Sequence, residues 1–316
     1  MQPRIIAIDL DGTLLNSSGQ VSPRNRAAIE LAQNSGAEIV ISTGRRHSFA
    51  MHVLRDLGLK PDSALISSNG AVIRTIDAQL IQRTHLPLST AHWLCALLND
   101  YRNGLVLTFD LTGPDGNDSR GALIVQNLEE IHSSIGRWMR ANQQYILQAN
   151  PIEEALQPGS DLPIQMMVCG PIERMLRAEE RLIQHPLVIP VGEQKPALTA
   201  NGHEHLQAEA ELHRTTYPET DLTLLDILPA GCSKASALRN VAELRGLTCA
   251  EIMAIGDNWN DLAMLRMAGQ PALMSNAPED LRALATSRGW TILPGNDEDG
   301  VATAIETAFA GSPVWI

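Results

Sequence analysis

Ile5-Ile6-Ala7-Ile8-Asp9-Leu10-Asp11-Gly12-Thr13-Leu14-Leu15 sets two carboxylates and a tight glycine turn directly after four consecutive apolar residues. A short continuous apolar run closed by a turn signal reads as a buried strand. In open α/β sheets ligands bind beyond the carboxyl ends of the strands, so Asp9 and Asp11 stand where chemistry is done. A carboxylate in that place can act as a covalent nucleophile or as a ligand for a hard cation.

Working outward, the first third alternates strand and helix. Ser22 reads as an N-cap with Pro23 at the first helical position, an apolar face of Ala27, Ala28, Leu31 and Ala32, and Gly36 as the stop. A strand over 37–42 ends in Thr43-Gly44-Arg45, a helix over 48–57 stops at Gly58, and a strand over 64–67 ends in Ser68-Asn69-Gly70. The rhythm predicts a parallel sheet with right-handed crossovers. It resumes near Pro229, where Ser233 caps a helix running to Leu244, a strand over 251–255 enters Gly256-Asp257, and a helix over 261–268 follows. A strand over 271–274 then precedes a helix opening on Glu279 and Asp280, acids suited to a helix amino end.

Between these halves the pattern changes. Short apolar runs at 105–109, 122–125 and 164–168 mix with helical segments, the loop 112–120 is rich in turn formers, and 186–202 is irregular. The expected architecture is α/β: a Rossmann-like parallel sheet core flanked by helices, residues 1–82 and 229–316, interrupted by an inserted α+β domain over 83–228.

The composition narrows the function classes. Of 316 residues, 44% are hydrophobic and 19% charged, as in ordinary globular proteins. Aromatic residues make up only 3%, so aliphatic side chains and Met must fill the interior. A net charge of -12 opposes a nucleic-acid surface, which needs clustered Lys and Arg. An anionic substrate would therefore need a metal or a local cation to hold it. No apolar run approaches the ~20 residues that cross a bilayer, and the amino terminus has no basic segment followed by a long apolar one. The expectation is a cytoplasmic protein without nucleic-acid or membrane partners. Cys95, Cys169, Cys232 and Cys249 form no CxxC pair and read as buried free thiols. His203-Glu204-His205 lacks the i, i+4 spacing of helical zinc sites and reads as a surface cluster. No sequence feature declares an oligomeric state.

Asp9, Asp11, Thr43 and Asp257 all follow apolar strands, and a parallel sheet gathers such ends along one edge. An isolated Asp-x-Asp-Gly is a common turn and Gly-Asp before a helix a common cap; the ordered set carries the chemical reading. With these residues in view, the chain resembles the haloacid dehalogenase-like hydrolase superfamily and, within it, the Cof-type phosphatases with a large inserted cap. The resemblance rests on Asp9-Leu10-Asp11-Gly12-Thr13-Leu14, Ser42-Thr43-Gly44-Arg45, Ser233-Lys234 and Gly256-Asp257-Asn258-Trp259-Asn260-Asp261. Asn276-Ala277-Pro278-Glu279-Asp280-Leu281-Arg282 and Asp299-Gly300-Val301-Ala302 extend it.

The resemblance implies a Mg²⁺-dependent phosphatase acting on a small phosphorylated metabolite, such as a sugar phosphate or a phosphorylated cofactor. It makes Asp9 the nucleophile that forms an aspartyl-phosphate, and Asp11 the acid and base. An Asp9 oxygen, the Asp11 main-chain carbonyl and Asp257 become Mg²⁺ ligands, with Asp261 nearby or binding through water. Lys234 offsets charge beside Asp9. Thr43, Gly44, Arg45, Asn69 and Asn260 are the candidate substrate contacts, and the cap is expected to close over the site. Two alternatives share these residues: a phosphomutase using the same phosphoenzyme, and a phosphometabolite-binding regulator without catalysis.

Overall fold

Ile5–Ile8 forms strand β1, whose alternate side chains enter two different cores. Ile6 and Ile8 pack on one face of the sheet and Ile5 and Ala7 on the other, which is why this strand lacks a polar face. The computed structural model describes residues 2–127, 136–191 and 207–310, and the side chains of 137–139 lie outside that description. His203-Glu204-His205 and most of the irregular 186–202 stretch also fall outside the described residues.

The chain divides into two compact units, Met1–Gln82 with Ser233–Ile316, and Arg83–Cys232. In the first, β1 is followed by helix α1 (Pro23–Asn34), β2 (Glu38–Ser42), α2 (His47–Leu54) and β3 (Ala64–Ser67). A hairpin of β4 (Val72–Thr75) and β5 (Leu80–Arg83) then reaches the insertion. Ser22 caps α1 by accepting from the Asn25 N–H at 3.0 Å. The buried face of α1 is Ala28, Ile29 and Ala32, whereas Ala27 is exposed. The expected face was thus rotated by about one position, because Ile29 competes better for the core. Helix α2 ends at Leu54 rather than continuing to residue 57, and the chain reverses through Gly58 at φ +73°.

The insertion carries α3 (Leu88–Leu97), β6 (Leu105–Thr108), β7 (Leu123–Val125), α4 (Gly136–Asn142), β8 (Ile146–Gln148), β9 (Gln165–Gly170) and α5 (Ile172–Gln184). β10 (Val188–Pro190), β11 (Ala210–Tyr217) and β12 (Leu222–Pro229) complete it. Its mixed sheet runs β10-β11-β12-β9-β6-β7-β8. Met175, Ala178 and Leu182 of α5 pack with Leu94 and Cys95 of α3 against Leu107, Met166 and Val168. Helical spacing on one side and strand alternation on the other produce this α+β layer.

The first unit resumes with α6 (Lys234–Leu244), β13 (Ile252–Gly256), α7 (Leu262–Met267), β14 (Gln270–Met274), α8 (Glu279–Ser287), β15 (Thr291–Leu293) and α9 (Gly300–Phe309). Its sheet runs β15-β14-β13-β1-β2-β3-β4-β5. Pairing is parallel from β15 to β3 and turns antiparallel only at β3–β4. The α1, α2 and α9 helices cover one face, and α6, α7 and α8 the other. A parallel sheet between two helical layers is the α/β architecture expected from the alternating sequence.

All four cysteines are free: Cys95, Cys169 and Cys232 are buried, and Cys249 is partly exposed. Burial pushes the three enclosed thiols up to about 12, leaving them inert. Among the described residues no helix is long and apolar enough to cross a membrane.

Candidate active site

The register of β1 between β13 and β2 decides which side chains meet. Ile8 pairs with Ile255 on one side and Ile41 on the other, so Asp9, Asp257 and Thr43 leave the sheet at one edge. The Asp9 N–H donates to Ile255 O at 3.0 Å, keeping the first acid in sheet geometry. Asp9, Asp257 and Asp261 are buried, and they offer carboxylate oxygens lying within 4.8 Å of one another.

Lys234 enters this cluster from the first turn of α6. Its cap is built by Ser233 and Ser236, each accepting from the other's main-chain N–H, a reciprocal arrangement that secures the helix start. The Lys234 side chain is 0% exposed. Its Nζ donates to Asp9 Oδ1 at 2.5 Å and to Asp261 Oδ1 at 2.7 Å. Asp261 Oδ2 accepts from the Asp257 and Asn258 main-chain N–H groups at 3.0 and 3.1 Å. Both Asp261 oxygens therefore serve the architecture of the site. Thr13 Oγ1 donates to Asp257 Oδ1 at 2.8 Å.

Close approach explains two glycines. Gly12 sits at φ +80°, and a Cβ there would lie 2.4 Å from Asp257 Oδ2. A Cβ on Gly256 would lie 2.6 Å from Asp261 Cβ and Cγ. Glycine is needed where the backbone runs against a functional side chain.

Electrostatics follow from three carboxylates facing one ammonium. Burial and then the Asp261 charge raise the Asp9 carboxyl to about 7, against the opposing pull of Lys234. Burial, Asp9 and Asp261 raise Asp257 well above the usual carboxylate range. Burial alone would pull Lys234 down, but Asp261 and Asp9 outweigh it and hold the ammonium protonated. This oxygen-rich, negatively charged, buried donor set matches what a hard divalent cation requires.

The remaining candidates form a second group. Arg45 grips Asp11 bidentately, Nε to Oδ2 at 2.8 Å and Nη2 to Oδ1 at 2.6 Å, and its guanidinium lies 4.9 Å from the centre of the Phe49 ring. The Asp11 side chain is 45% exposed and turned toward this partner, apart from the buried acid cluster. Thr43 Oγ1 accepts from the Arg45 N–H at 3.1 Å, and the Asn69 N–H donates to Thr43 O at 3.0 Å. Asn260 Nδ2 donates to Asn69 Oδ1 at 3.3 Å. A Cβ on Gly44 would come 3.1 Å from Asn69 Oδ1. Ser68 and Asn69 both take positive φ, +48° and +52°, a costly backbone of the kind that clusters at functional sites.

Two participants carry no charge and were not singled out from sequence. Thr13 orients Asp257, and Asn276 Nδ2 donates to Gly12 O at 2.9 Å. Each stands inside a family-like motif, which was the available signal.

Comparison with known proteins shows the family. The haloacid dehalogenase-like hydrolase family matches residues 6–186 and 192–305. A 5-amino-6-(5-phospho-D-ribitylamino)uracil phosphatase of Bacillus subtilis is 28% identical over 98% of this chain and 99% of its own. Phosphatase YwpJ of Bacillus subtilis is 30% identical over 95% of this chain and 97% of its own. The solved structure of a haloacid dehalogenase-like hydrolase from B. subtilis has a TM-score of 0.72 and 27% identity, covering 96% of this chain and 99% of that one. With the family matched across both halves of the chain, and with its acids and lysine gathered at one sheet edge, the protein belongs to the haloacid dehalogenase-like hydrolases of the Cof type.

Proposed function

We propose that this phosphoric monoester hydrolase cleaves a small phosphorylated metabolite through an aspartyl-phosphate on Asp9, with Mg²⁺ as cofactor. The carrying observation is the buried Asp9 held by Lys234 at 2.5 Å within one cluster with Asp257 and Asp261. An Asp9 carboxylate oxygen attacks phosphorus, the bond from phosphorus to the leaving oxygen breaks, and Asp11 protonates that oxygen. Water then attacks phosphorus and gives its proton to Asp11. The Asp9–phosphorus bond breaks, restoring the carboxylate and releasing phosphate. Acid–base help of this kind contributes ~10²–10⁴-fold.

Lys234 stays protonated throughout and offsets charge beside Asp9. Asp9, Asp257 and the Asp11 main-chain carbonyl would hold Mg²⁺, and Asp261 would act by positioning Lys234 and the Asp257 main chain. When bound, Mg²⁺ supplies the positive charge that lets one anion approach another. Asp11 reaches the leaving oxygen once Arg45 exchanges its carboxylate for the incoming phosphoryl group. Thr43, Gly44, Asn69 and Asn260 are assigned to the phosphoryl pocket, and selection of the leaving group to the inserted unit acting as a cap.

The test is phosphate release from a panel holding a phosphoribityl uracil, sugar phosphates and pyridoxal phosphate, with Mg²⁺ or with chelator. Turnover only with Mg²⁺ supports the reading; no turnover on any phosphomonoester overturns it. The same cation is expected to stabilise the fold in a pH-dependent way. Asp9 is raised in the folded state from 3.8 to about 7, so its contribution to metal-free stability is full below about 4 and is lost as pH rises through about 7. Mg²⁺ binds the ionised form and should therefore raise the thermal midpoint more at pH 8 than at pH 5.5. Equal shifts at both would exclude Asp9 from the cation site.

Gly12→Ala isolates the approach of the loop to Asp257. The left-handed backbone costs a non-glycine residue about 1–2 kcal/mol, and the new Cβ must displace the Asp257 carboxylate. A displacement near 1 Å can cost ~10²-fold in rate. The variant should fold, lose turnover on that scale and need more Mg²⁺ for half-activation. Wild-type kinetics would show that Asp257 tolerates the move.

A further inference from the structure

The loop after β1 closes on itself through Leu14 N–H to Asp9 O at 3.2 Å and Leu15 N–H to Leu10 O at 2.9 Å. The Gly12 carbonyl takes no part in that turn. It accepts instead from Asn276 Nδ2 at 2.9 Å, just beyond β14. Asn276 Oδ1 accepts from the Asn296 N–H at 3.1 Å, and Asn296 Nδ2 donates to Leu15 O at 2.8 Å, beyond β15. Ser17 N–H donates to Asp297 Oδ1 at 2.8 Å. The segments after β14 and β15 thus hold the Asp11-bearing loop at Gly12, Leu15 and Ser17.

Asn276 is chemically particular in this arrangement. It faces a carbonyl on one side and an N–H on the other, so a carboxamide satisfies both. A carboxylate would set oxygen against the Gly12 oxygen, and an alanine would satisfy neither. Holding the Gly12 carbonyl orients the Gly12–Thr13 peptide. That peptide decides two contacts with Asp257: the 2.8 Å hydrogen bond from Thr13 and the close passage of Gly12.

We infer that Asn276 is a positioning residue that sets Asp257 for cation binding through the Gly12 carbonyl. The inference rests on the phosphatase reading above and goes beyond it by assigning part of cation affinity to a residue outside the acid cluster. Asn276 is itself exposed and its partners Gly12 and Asn296 are only partly buried, so its loss should cost the fold little.

The full-length protein is tested as Asn276→Ala and Asn276→Asp, with Asn276→Gln as the conservative variant. Mn²⁺ binding to metal-free protein is measured by calorimetry, beside kcat, KM, half-activating Mg²⁺ and the thermal midpoint. Asn276→Ala should weaken Mn²⁺ binding about tenfold, the scale of one lost hydrogen bond, and raise half-activating Mg²⁺ in parallel. KM at saturating Mg²⁺ and the thermal midpoint should stay near wild type. Asn276→Asp should bind Mn²⁺ less tightly than Asn276→Ala, and Asn276→Gln should recover part of the loss. Wild-type cation affinity in all three variants overturns the inference alone. Failure of the unaltered protein to bind Mn²⁺ or release phosphate overturns the phosphatase reading and the inference with it.

Discussion

Asp9→Asn is expected to give a folded protein that releases no measurable phosphate. The amide keeps the shape of the carboxylate but is a far weaker nucleophile, so the covalent route closes. The expected loss exceeds ~10³-fold, since removing a covalent nucleophile can cost up to ~10⁶-fold. Stability should move the other way or not at all. Burial already holds the Asp9 carboxyl at about 7, so a neutral group above that pH removes an anion whose enclosure is costly. Lys234 retains Asp261 at 2.7 Å, so the ammonium is not left alone. Phosphate release and thermal melting of the metal-free variant at pH 8 check both halves. Turnover within tenfold of wild type would place the nucleophile elsewhere.

Lys234→Met is expected to damage both the fold and the chemistry. The ammonium is 0% exposed and is the cation that Asp9 and Asp261 both contact. Removing one member of a buried ion pair costs about 3–5 kcal/mol, because the charge left behind is uncompensated. Part of that cost is relieved by protonating Asp9. Lys234 pulls the Asp9 carboxyl down against its burial, so its loss drives that carboxyl higher still, and the deficit should be larger at pH 8 than at pH 5.5. Turnover should fall by ~10²–10³-fold, as when one donor is taken from a preorganised anion site. Urea unfolding at the two pH values and kcat with Mg²⁺ measure these effects. Equal stability loss at both would mean that acids other than the buried cluster dominate.

Comparing the two variants separates roles that share one hydrogen bond. Asp9→Asn removes reactivity and keeps a partner for Lys234, whereas Lys234→Met removes the partner of two acids at once. A stable, inactive first variant beside an unstable, inactive second one would distinguish nucleophile from counter-charge.

Much of this arrangement was legible in the chain. Ile5-Ile6-Ala7-Ile8 read as a buried strand and the glycine after Asp11 as a tight turn; the strand has both faces covered and Gly12 takes positive φ. Ser22-Pro23 and Ser233 announced helix starts because side-chain oxygens before an apolar period satisfy the first free N–H groups. The family resemblance of the ordered motifs implies Lys234 and Asp257 beside Asp9, and the three meet in the fold. Less was legible where neighbours compete: α1 buries Ile29 rather than Ala27, a choice made by the helix's packing surface and not by local period.

The sequence by itself determined the strand–turn–helix units and the chemical identity of the buried acids, since these follow from local periodicity, turn stereochemistry and residue type. Only the tertiary structure decided that Asp261 spends its oxygens on Lys234 and two N–H groups, that Asp11 rests on Arg45, and that Asn276 reaches the Gly12 carbonyl. Those pairings join residues up to 264 positions apart. They depend on the parallel register that brings distant strand ends to one edge, and no local pattern encodes which polar atom a neighbouring strand will present there.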